Sequence, residues 1–234
     1  MRSITAICHF WKWFQKNEET YIDFYKKYTN KKDFEYHFNE LQVHARSCSQ
    51  WLGVDFSPAG EKKGHLIITA NGRPRGFKRA DQLVAKAPRL QNWTVTALRQ
   101  PNPVGAFAKR MDDDTDIDLS KMWFQTAGLC SRGRRGIIVF VEYILPGQEH
   151  AVELFVWDVL ENLIGERGLG LDIALVEVDA KCNAAEKKKL YFMDELPAFV
   201  EKHRRTDSTD EKLRTGKDNN QGLTVGPGGE IKGF

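Results

Sequence analysis

The apolar run RGIIVFVEYIL, from Arg135 to Leu145, limits what this chain can fold into more than any other segment. Its β-branched residues favour a strand, and an almost unbroken apolar run is typical of a strand in the middle of a covered sheet. Such a sheet needs other elements packed on its faces, because apolar side chains are most stable out of water. We therefore expect an α/β protein.

Two helical stripes precede the strands of this chain. Apolar residues, most of them aromatic, recur at three- and four-residue steps over residues 7–28, and a second stripe of this kind covers residues 34–52. Between them, YTNKKD supplies Asn30 and Asp33, either of which can cap a helix. The pattern predicts a helical hairpin at the N-terminus.

Strand and helix patterns alternate along the rest of the chain. HLIITANG predicts a strand that ends in a tight turn at Asn71 and Gly72. FKRADQLVAKAP then predicts a short helix, and WTVTALR predicts a second strand. Two further strands are predicted by KMWFQTAG and RGIIVFVEYIL. A helix follows in QEHAVELFVWDVLENLIGE, then a strand in LDIALVEVD and a last helix in MDELPAFVEKHRR. This order predicts an α/β (α+β) fold, in which the N-terminal hairpin precedes a mixed or antiparallel sheet covered by helices.

Composition separates an ordered part from a tail in this chain of 234 residues. We expect residues 1–205 to form a single α/β globular domain, and the mirrored strand-helix-strand pattern allows two halves that meet near residues 102–120. Residues 206–234 contain few bulky apolar side chains, so their burial cannot offset the entropy lost on ordering. They are predicted to form a flexible, mostly disordered tail.

Charge and cysteine spacing narrow the class of protein. Lys and Arg number 35 against 32 Asp and Glu, and the resulting net charge of +3 is smaller than the excess expected of an obligate nucleic-acid-binding protein. Cys8, Cys48, Cys130 and Cys182 form no C-x-x-C pair and follow no recognisable secretion signal. No apolar run reaches the length of a membrane span. We expect free thiols, a cytoplasmic location and no membrane partner.

The string KRMDDDTDIDLSK resembles a metal site more than any other string in the chain. A calcium loop starting at Asp112 has carboxylates at its first, third and fifth positions, with Asp114 and Asp116. Ile117 stands where the sharp turn needs glycine, however, and Trp123 stands where the loop needs glutamate. We interpret the string mainly as a charged connection between two halves of the sheet, with Asp112, Asp114 and Asp116 as candidate metal ligands.

Arginines cluster at two predicted loop ends. Arg73 and Arg75 lie in RPRGFKR, and Arg132, Arg134 and Arg135 lie in RGRR. Basic groups of this kind bind phosphates or single strands, so these arginines are the candidate ligand or anion site. The basic clusters are spread along the chain and balanced by acids, which favours solvated loop ends.

The long predicted helix carries two further motifs. Glu161 and Glu166 are interpreted as the polar edge of an amphipathic helix. The glycines of GERGLGLD are predicted to end the helix and reverse the chain, because a phosphate-binding turn requires the opposite order, strand before helix. Local motifs assemble no acid, base and nucleophile, and we expect no cofactor.

Two strings of this chain are HLIITANGRPRGFKRADQLVAKAPRLQNWTVTALRQP and WDVLENLIGERGLGLDIALVEVD. They resemble the sequences of a family of conserved but uncharacterised bacterial proteins. The shared pattern is close to LIITA-G, then LV--AP---W, then a helix ending in LGE, which appears here as Leu163 followed by Ile164, Gly165 and Glu166. The resemblance spans the chain from the aromatic helix to about Pro197. It implies no activity and no catalytic residue.

Two functions are compatible with these observations. The first hypothesis is a non-enzymatic cytoplasmic interaction or ligand-binding protein, such as an accessory or immunity-type factor that recognises another protein. The alternative is a metal-dependent enzyme acting on a phosphate-containing or nucleic-acid substrate, with the aspartates holding the metal and the arginines from Arg132 to Arg135 clamping the anion. Another protein is the favoured partner, and nucleic acid is less favoured.

Overall fold

The computed structural model describes residues 2–27, 31–57, 63–102, 117–129, 134–181 and 189–204, without the side chains of residues 2–3, 24–27 and 31–34. The predicted tail, residues 206–234, lies outside the described residues. Two mixed sheets follow an N-terminal pair of helices, which confirms the predicted fold class. The strands are divided between two sheets rather than gathered into one.

The N-terminal hairpin consists of α1 (Arg2–Lys27) and α2 (Lys31–Cys48). Trp13 stacks on His44 and Tyr21 contacts His37, so residue numbers rise along one helix as they fall along the other. The predicted aromatic stripe forms the contact, and Phe10, Phe14 and Tyr21 are almost completely buried. The hairpin thus supplies the aromatic part of a first core.

The first sheet has the strand order β1-β2-β3, with β1 (Gly53–Ser57), β2 (Gly64–Thr69) and β3 (Trp93–Ala97). The first two strands pair antiparallel, and helix α3 (Pro74–Val84) makes the crossover between the parallel strands β2 and β3. The predicted turn after β2 is present, with positive φ at Asn71 and Gly72. Trp11 Nε1 donates to the carbonyl oxygen of Leu83 over 2.8 Å, which ties the hairpin to α3.

The second sheet has the order β6-β5-β4-β7, and the apolar run supplies its inner strand β5 (Arg135–Val141). Strands β4 (Trp123–Leu129) and β7 (Tyr191–Phe192) lie antiparallel to one another. β6 (Ile173–Ala180) lies parallel to β5 after the crossover helix α4 (Glu149–Asp172). The last helix, α5 (Leu196–His203), packs with α4 on one face of this sheet and forms a second core.

Helix α4 continues through the glycines that were predicted to end it. Gly165 has non-helical torsion angles, with φ 69° and ψ 163°, but the helix resumes and ends at Asp172. A Cβ at Gly165 would lie 2.7 Å from Pro101 Cδ, so glycine is required for space as well as for torsion. The kink lets one helix serve both cores: Val156 lies in the second core, and Leu171 packs against the first.

The part of α4 after the kink lies against the turn and helix of the first half. A Cβ at Gly170 would lie 2.7 Å from the carbonyl oxygen of Gly72 and 2.7 Å from Phe77 Cζ. The Arg167 guanidinium lies 5.3 Å from the centroid of the Phe77 ring and donates to Asp81 over 2.8 Å. Direct backbone contact and an ion pair therefore join the two halves.

No helix within the described ranges has the length and the apolar character needed to cross a membrane.

We expect Gly170→Ala to lower the free energy of unfolding by about 1–3 kcal/mol, because the added methyl group meets a backbone oxygen that cannot move away cheaply. Gly168→Ala on the same helix is the matched control. Its Cβ would lie 3.3 Å from Ile164 Cβ, and the gain in helix propensity offsets that tight contact. Urea denaturation should separate the two variants, and equal midpoints would contradict the close approach of α4 to the Gly72 turn.

His44 gives the hairpin a predictable pH dependence. Burial lowers the pKa of His44 below its ordinary value, although Glu40 opposes this effect. The folded state therefore favours the neutral imidazole. The contribution of this imidazole to stability is present above the unfolded pKa of about 6.5 and is lost as the pH falls through the folded pKa. We expect His44→Phe, which keeps a ring on Trp13, to reduce the loss of stability between about pH 7 and pH 5. Urea denaturation at both pH values measures this loss, and Val43→Phe, which retains the imidazole, should keep the wild-type difference.

Candidate functional site

A fully buried glutamate lies where the two halves meet. Glu166 is 0% exposed and follows the kink at Gly165. Its Oε1 accepts from the backbone N–H groups of Ala70 at 2.7 Å and Gly72 at 3.0 Å. Its Oε2 accepts from the Thr69 hydroxyl at 2.8 Å and the Arg99 N–H at 3.2 Å. The interpretation of Glu166 as the polar edge of an amphipathic helix was therefore wrong.

Unusual backbone torsions surround this carboxylate. Among the described residues other than glycine, positive φ occurs at Asn71 (51°) and Leu98 (61°), and each residue adjoins a donor to Glu166. Leu98 is 0% exposed, so packing and its N–H bond to the Ile68 oxygen hold it in this conformation. The strained backbone aims N–H groups at the carboxylate.

Arg99 extends this hydrogen-bond network toward the surface. The Arg99 guanidinium donates to both oxygens of Glu161, at 3.0 and 2.8 Å, and to Asp55 Oδ2 at 2.7 Å. Burial alone would lower the pKa of Arg99, but the carboxylates of Glu161 and Asp55 raise it above its ordinary value. Burial also raises the pKa of Glu161, and Arg99 opposes that shift. We name Glu166, Arg99, Glu161 and Asp55 the carboxylate junction.

The carboxylate junction occupies the carboxyl ends of the parallel strands β2 and β3. Ligands usually bind at this edge in open α/β sheets. Here the hydrogen-bond donors at this edge already bind the chain's own Glu166, and Arg99 already forms ion pairs with two carboxylates of the same chain. The hydrogen bonds join α4 to the first sheet, so the junction holds the two halves together.

Three of the predicted arginines, Arg75, Arg134 and Arg135, each contact a different part of the chain. Arg75 lies 5.7 Å from the centroid of the Trp51 ring, and Arg135 lies 5.6 Å from that of Phe199. Arg134 donates to the Gly170 oxygen over 3.4 Å, and Arg73 directly precedes α3. Arg132 lies outside the described residues.

The candidate metal ligands Asp112, Asp114 and Asp116 also lie outside the described residues. Asp118, from the same string, accepts from the Ser120 N–H at 2.9 Å and caps a short 3-10 helix, Leu119–Lys121. These bonds lower the pKa of Asp118, with the Ser120 hydroxyl as the largest cause. Within the described ranges, no three His, Cys, Asp or Glu side chains form a group that could hold a metal ion.

A second candidate site lies on the face of the second sheet that points away from α4 and α5. Strand register places side chains on it in two rows. The first row is Asp179, Phe140, Trp123 and Phe192, and the second is Glu177, Ile138 and Gln125. We name these residues the aromatic face. The described members of the second core come from the opposite face, where Phe124 and Val139 meet the helices.

From Phe140 onward, exposure increases along the first row toward β7. Phe140 is 1% exposed, Trp123 is partly buried, and Phe192 is 55% exposed. The Trp123 and Phe192 rings lie 6.2 Å apart, within the range of aromatic pairs. The ammonium group of Lys181, directly after β6, lies 3.6 Å from the centroid of the Trp123 ring. This face therefore combines an exposed aromatic edge with charged groups.

Sequence reasoning found neither site. The signal for Glu166 is a single acid directly after Gly165 within a largely apolar helix. The signal for the aromatic face is the pair Trp123 and Phe192, whose shared edge depends on strand register.

No protein-family model, curated protein or solved structure matches this chain.

We expect Glu166→Gln to lower the free energy of unfolding by about 3 kcal/mol or more, because it breaks a buried charged network. In either orientation the new amide nitrogen faces a backbone N–H, from Ala70 and Gly72 or from Arg99, that cannot accept a hydrogen bond. The control is Glu142→Gln, which removes the exposed ion pair with Lys121 and should cost less than about 1 kcal/mol. Chemical denaturation compares them, and a near-wild-type midpoint for Glu166→Gln would contradict the role of this carboxylate.

Proposed function

We propose that this chain is a non-enzymatic cytoplasmic binding protein that recognises another protein through the aromatic face. The observation that carries the proposal is the exposed Phe192 beside Trp123, on the side of the sheet opposite α4 and α5. Aromatic side chains are enriched in the centres of protein interfaces, because they bury a large area while losing little conformational freedom.

The arrangement of the aromatic face suits a binding surface. Its open end lies on the edge strand β7, where Phe192 is exposed beside the partly buried Trp123, whereas Phe140 and Gln125 are already buried within the chain itself. Strand pairing fixes the backbone at Trp123 and Phe192, so the backbone needs no further ordering when a partner docks. The second core behind the sheet supports this backbone.

The carboxylate junction supports a binding role rather than a catalytic one. A general acid or base has to reach a substrate proton, whereas Glu166 is fully buried and its oxygens accept four hydrogen bonds from its own chain. The Arg99 guanidinium is similarly engaged with Glu161 and Asp55. These groups stabilise the scaffold that displays the aromatic face.

The cysteines support the proposed location. Cys8 and Cys48 are free thiols, and burial raises the pKa of Cys48. A raised pKa makes the thiolate scarcer at neutral pH and the thiol less reactive. Free thiols are typical of proteins in a reducing cytoplasm.

Phe192→Ser should abolish capture of a specific partner, because it removes the exposed aromatic side chain at the edge of the face. Leu154→Ser is the matched control, since Leu154 is also 55% exposed but lies on α4. Affinity purification from the native host with quantitative mass spectrometry should recover a partner with the wild type and the control but not with Phe192→Ser. A partner that both variants retain, or turnover of a substrate by a protein without a stable partner, would overturn the proposal.

A further inference from the structure

We propose that the outer side of α3 binds an acidic segment of a protein. This side of the helix carries Arg75, Lys78 and Arg79, and Lys86 follows directly after the helix. We name these four residues the basic face. The inference goes beyond the proposed function, because α3 belongs to the first half of the chain and the aromatic face lies on the second sheet.

Helical periodicity places the basic face on one side of α3. Arg75, Lys78 and Arg79 follow one another at steps that share one side of a helix. Ala85, the residue after the helix, keeps helical torsions of φ −60° and ψ −16°, so Lys86 continues the same stripe. Arg75, Lys78 and Lys86 are exposed. The buried side of the helix consists of Gly76, Phe77, Ala80 and Leu83.

The charge of the basic face is not neutralised by acids of the same chain. In the part of the chain that the structure describes, Arg75, Lys78 and Lys86 form no ion pair with a carboxylate. Asp81 is the one acid in the sequence of α3, and it pairs with Arg167 at 2.8 Å instead. An incoming carboxylate therefore gains attraction here without displacing an internal one.

Like charges also repel one another within the basic face. Arg75 and Arg79 lie four residues apart, a spacing at which two cations destabilise a helix. Arg79 donates to the neutral amide of Gln82 over 2.9 Å, and Arg75 lies 5.7 Å from the centroid of the Trp51 ring. Neither contact removes charge. Carboxylates placed along this side of α3 would relieve the repulsion.

The surroundings favour the carboxylates of a protein over the phosphates of a nucleic acid. Proteins that bind single strands without sequence preference combine basic groups with aromatic rings on which bases stack. The ring in contact with the basic face is that of Trp51, which is partly buried and already lies against Arg75. The net charge of +3 is also smaller than the excess expected of an obligate nucleic-acid-binding protein. An acidic protein segment requires neither a stacking ring nor a large excess of charge.

Two peptides test the inference on the full chain. The probe is an end-blocked nonapeptide with four glutamates separated by glycines, and its control carries glutamine in place of glutamate. Backbone amide resonances of α3 report binding in a titration followed by NMR. We expect the glutamate peptide to shift these resonances and to bind at least tenfold more tightly than the glutamine peptide. Raising the salt concentration from about 0.05 M to about 0.5 M should weaken its binding at least fivefold.

Two double variants locate the effect. We expect Lys78→Gln with Lys86→Gln to weaken binding of the glutamate peptide at least fivefold, because it removes two exposed charges of the basic face. Lys189→Gln with Lys202→Gln is the matched control, since both lysines are exposed in the second half and the net charge changes equally. This control should keep the wild-type affinity. Both pairs are exposed, so the variants should retain the wild-type urea midpoint.

Three outcomes would overturn the inference. Equal binding of the glutamine peptide would mean that the basic face does not select carboxylates. Equal weakening by the two double variants would mean that net charge, and not this surface, attracts the peptide. Tighter binding of a five-nucleotide thymidine strand, which also carries four negative charges, would identify a nucleic acid as the occupant. None of these measurements depends on Phe192, so each leaves the proposed function to its own test.

Discussion

The buried carboxylate of Glu166 is the interaction on which the rest of the structure depends. Its partners come from the end of β2, the turn after it and the residue after Leu98, so one side chain fixes three positions of the first half. A buried charge is stable only when its lone pairs are filled. The cost of burying it is offset by backbone N–H groups that would otherwise need other partners at the strand ends.

The torsions around Glu166 show how the sequence provides for this arrangement. Gly165 and Gly72 adopt positive φ at little cost, Asn71 tolerates it, and Leu98 adopts it under the constraint of a buried environment. Strain at Leu98 is retained because releasing it would misdirect the Arg99 N–H away from the carboxylate. Irregular backbone here is part of the scaffold that joins the halves.

The elements that sequence analysis predicted are those with a local signal. The hairpin follows from aromatic residues at three- and four-residue steps, and β5 follows from an unbroken apolar run. The role of Glu166 could not be predicted in this way, because Thr69 and Arg99 lie 97 and 67 residues from it in sequence. The aromatic face likewise depends on the register of four strands, which periodicity within one strand does not define. β1 was not predicted, since part of its support comes from Gln42 on α2, whose side chain donates to the Val54 oxygen over 2.9 Å.

Helix α4 has a consequence for how the chain folds and unfolds. Leu171 packs against a core whose strands end at Ala97, while Val156 on the same helix belongs to the core of the second sheet. Cutting the chain between the two sheets would therefore remove a wall from the first core and leave the last turns of α4 without a partner. The first fragment would lose Leu171, and the second, although it supplies every described member of its own core, would expose Glu166 without its four donors. We therefore expect the two sheets to unfold as one cooperative unit despite their separate strand pairing.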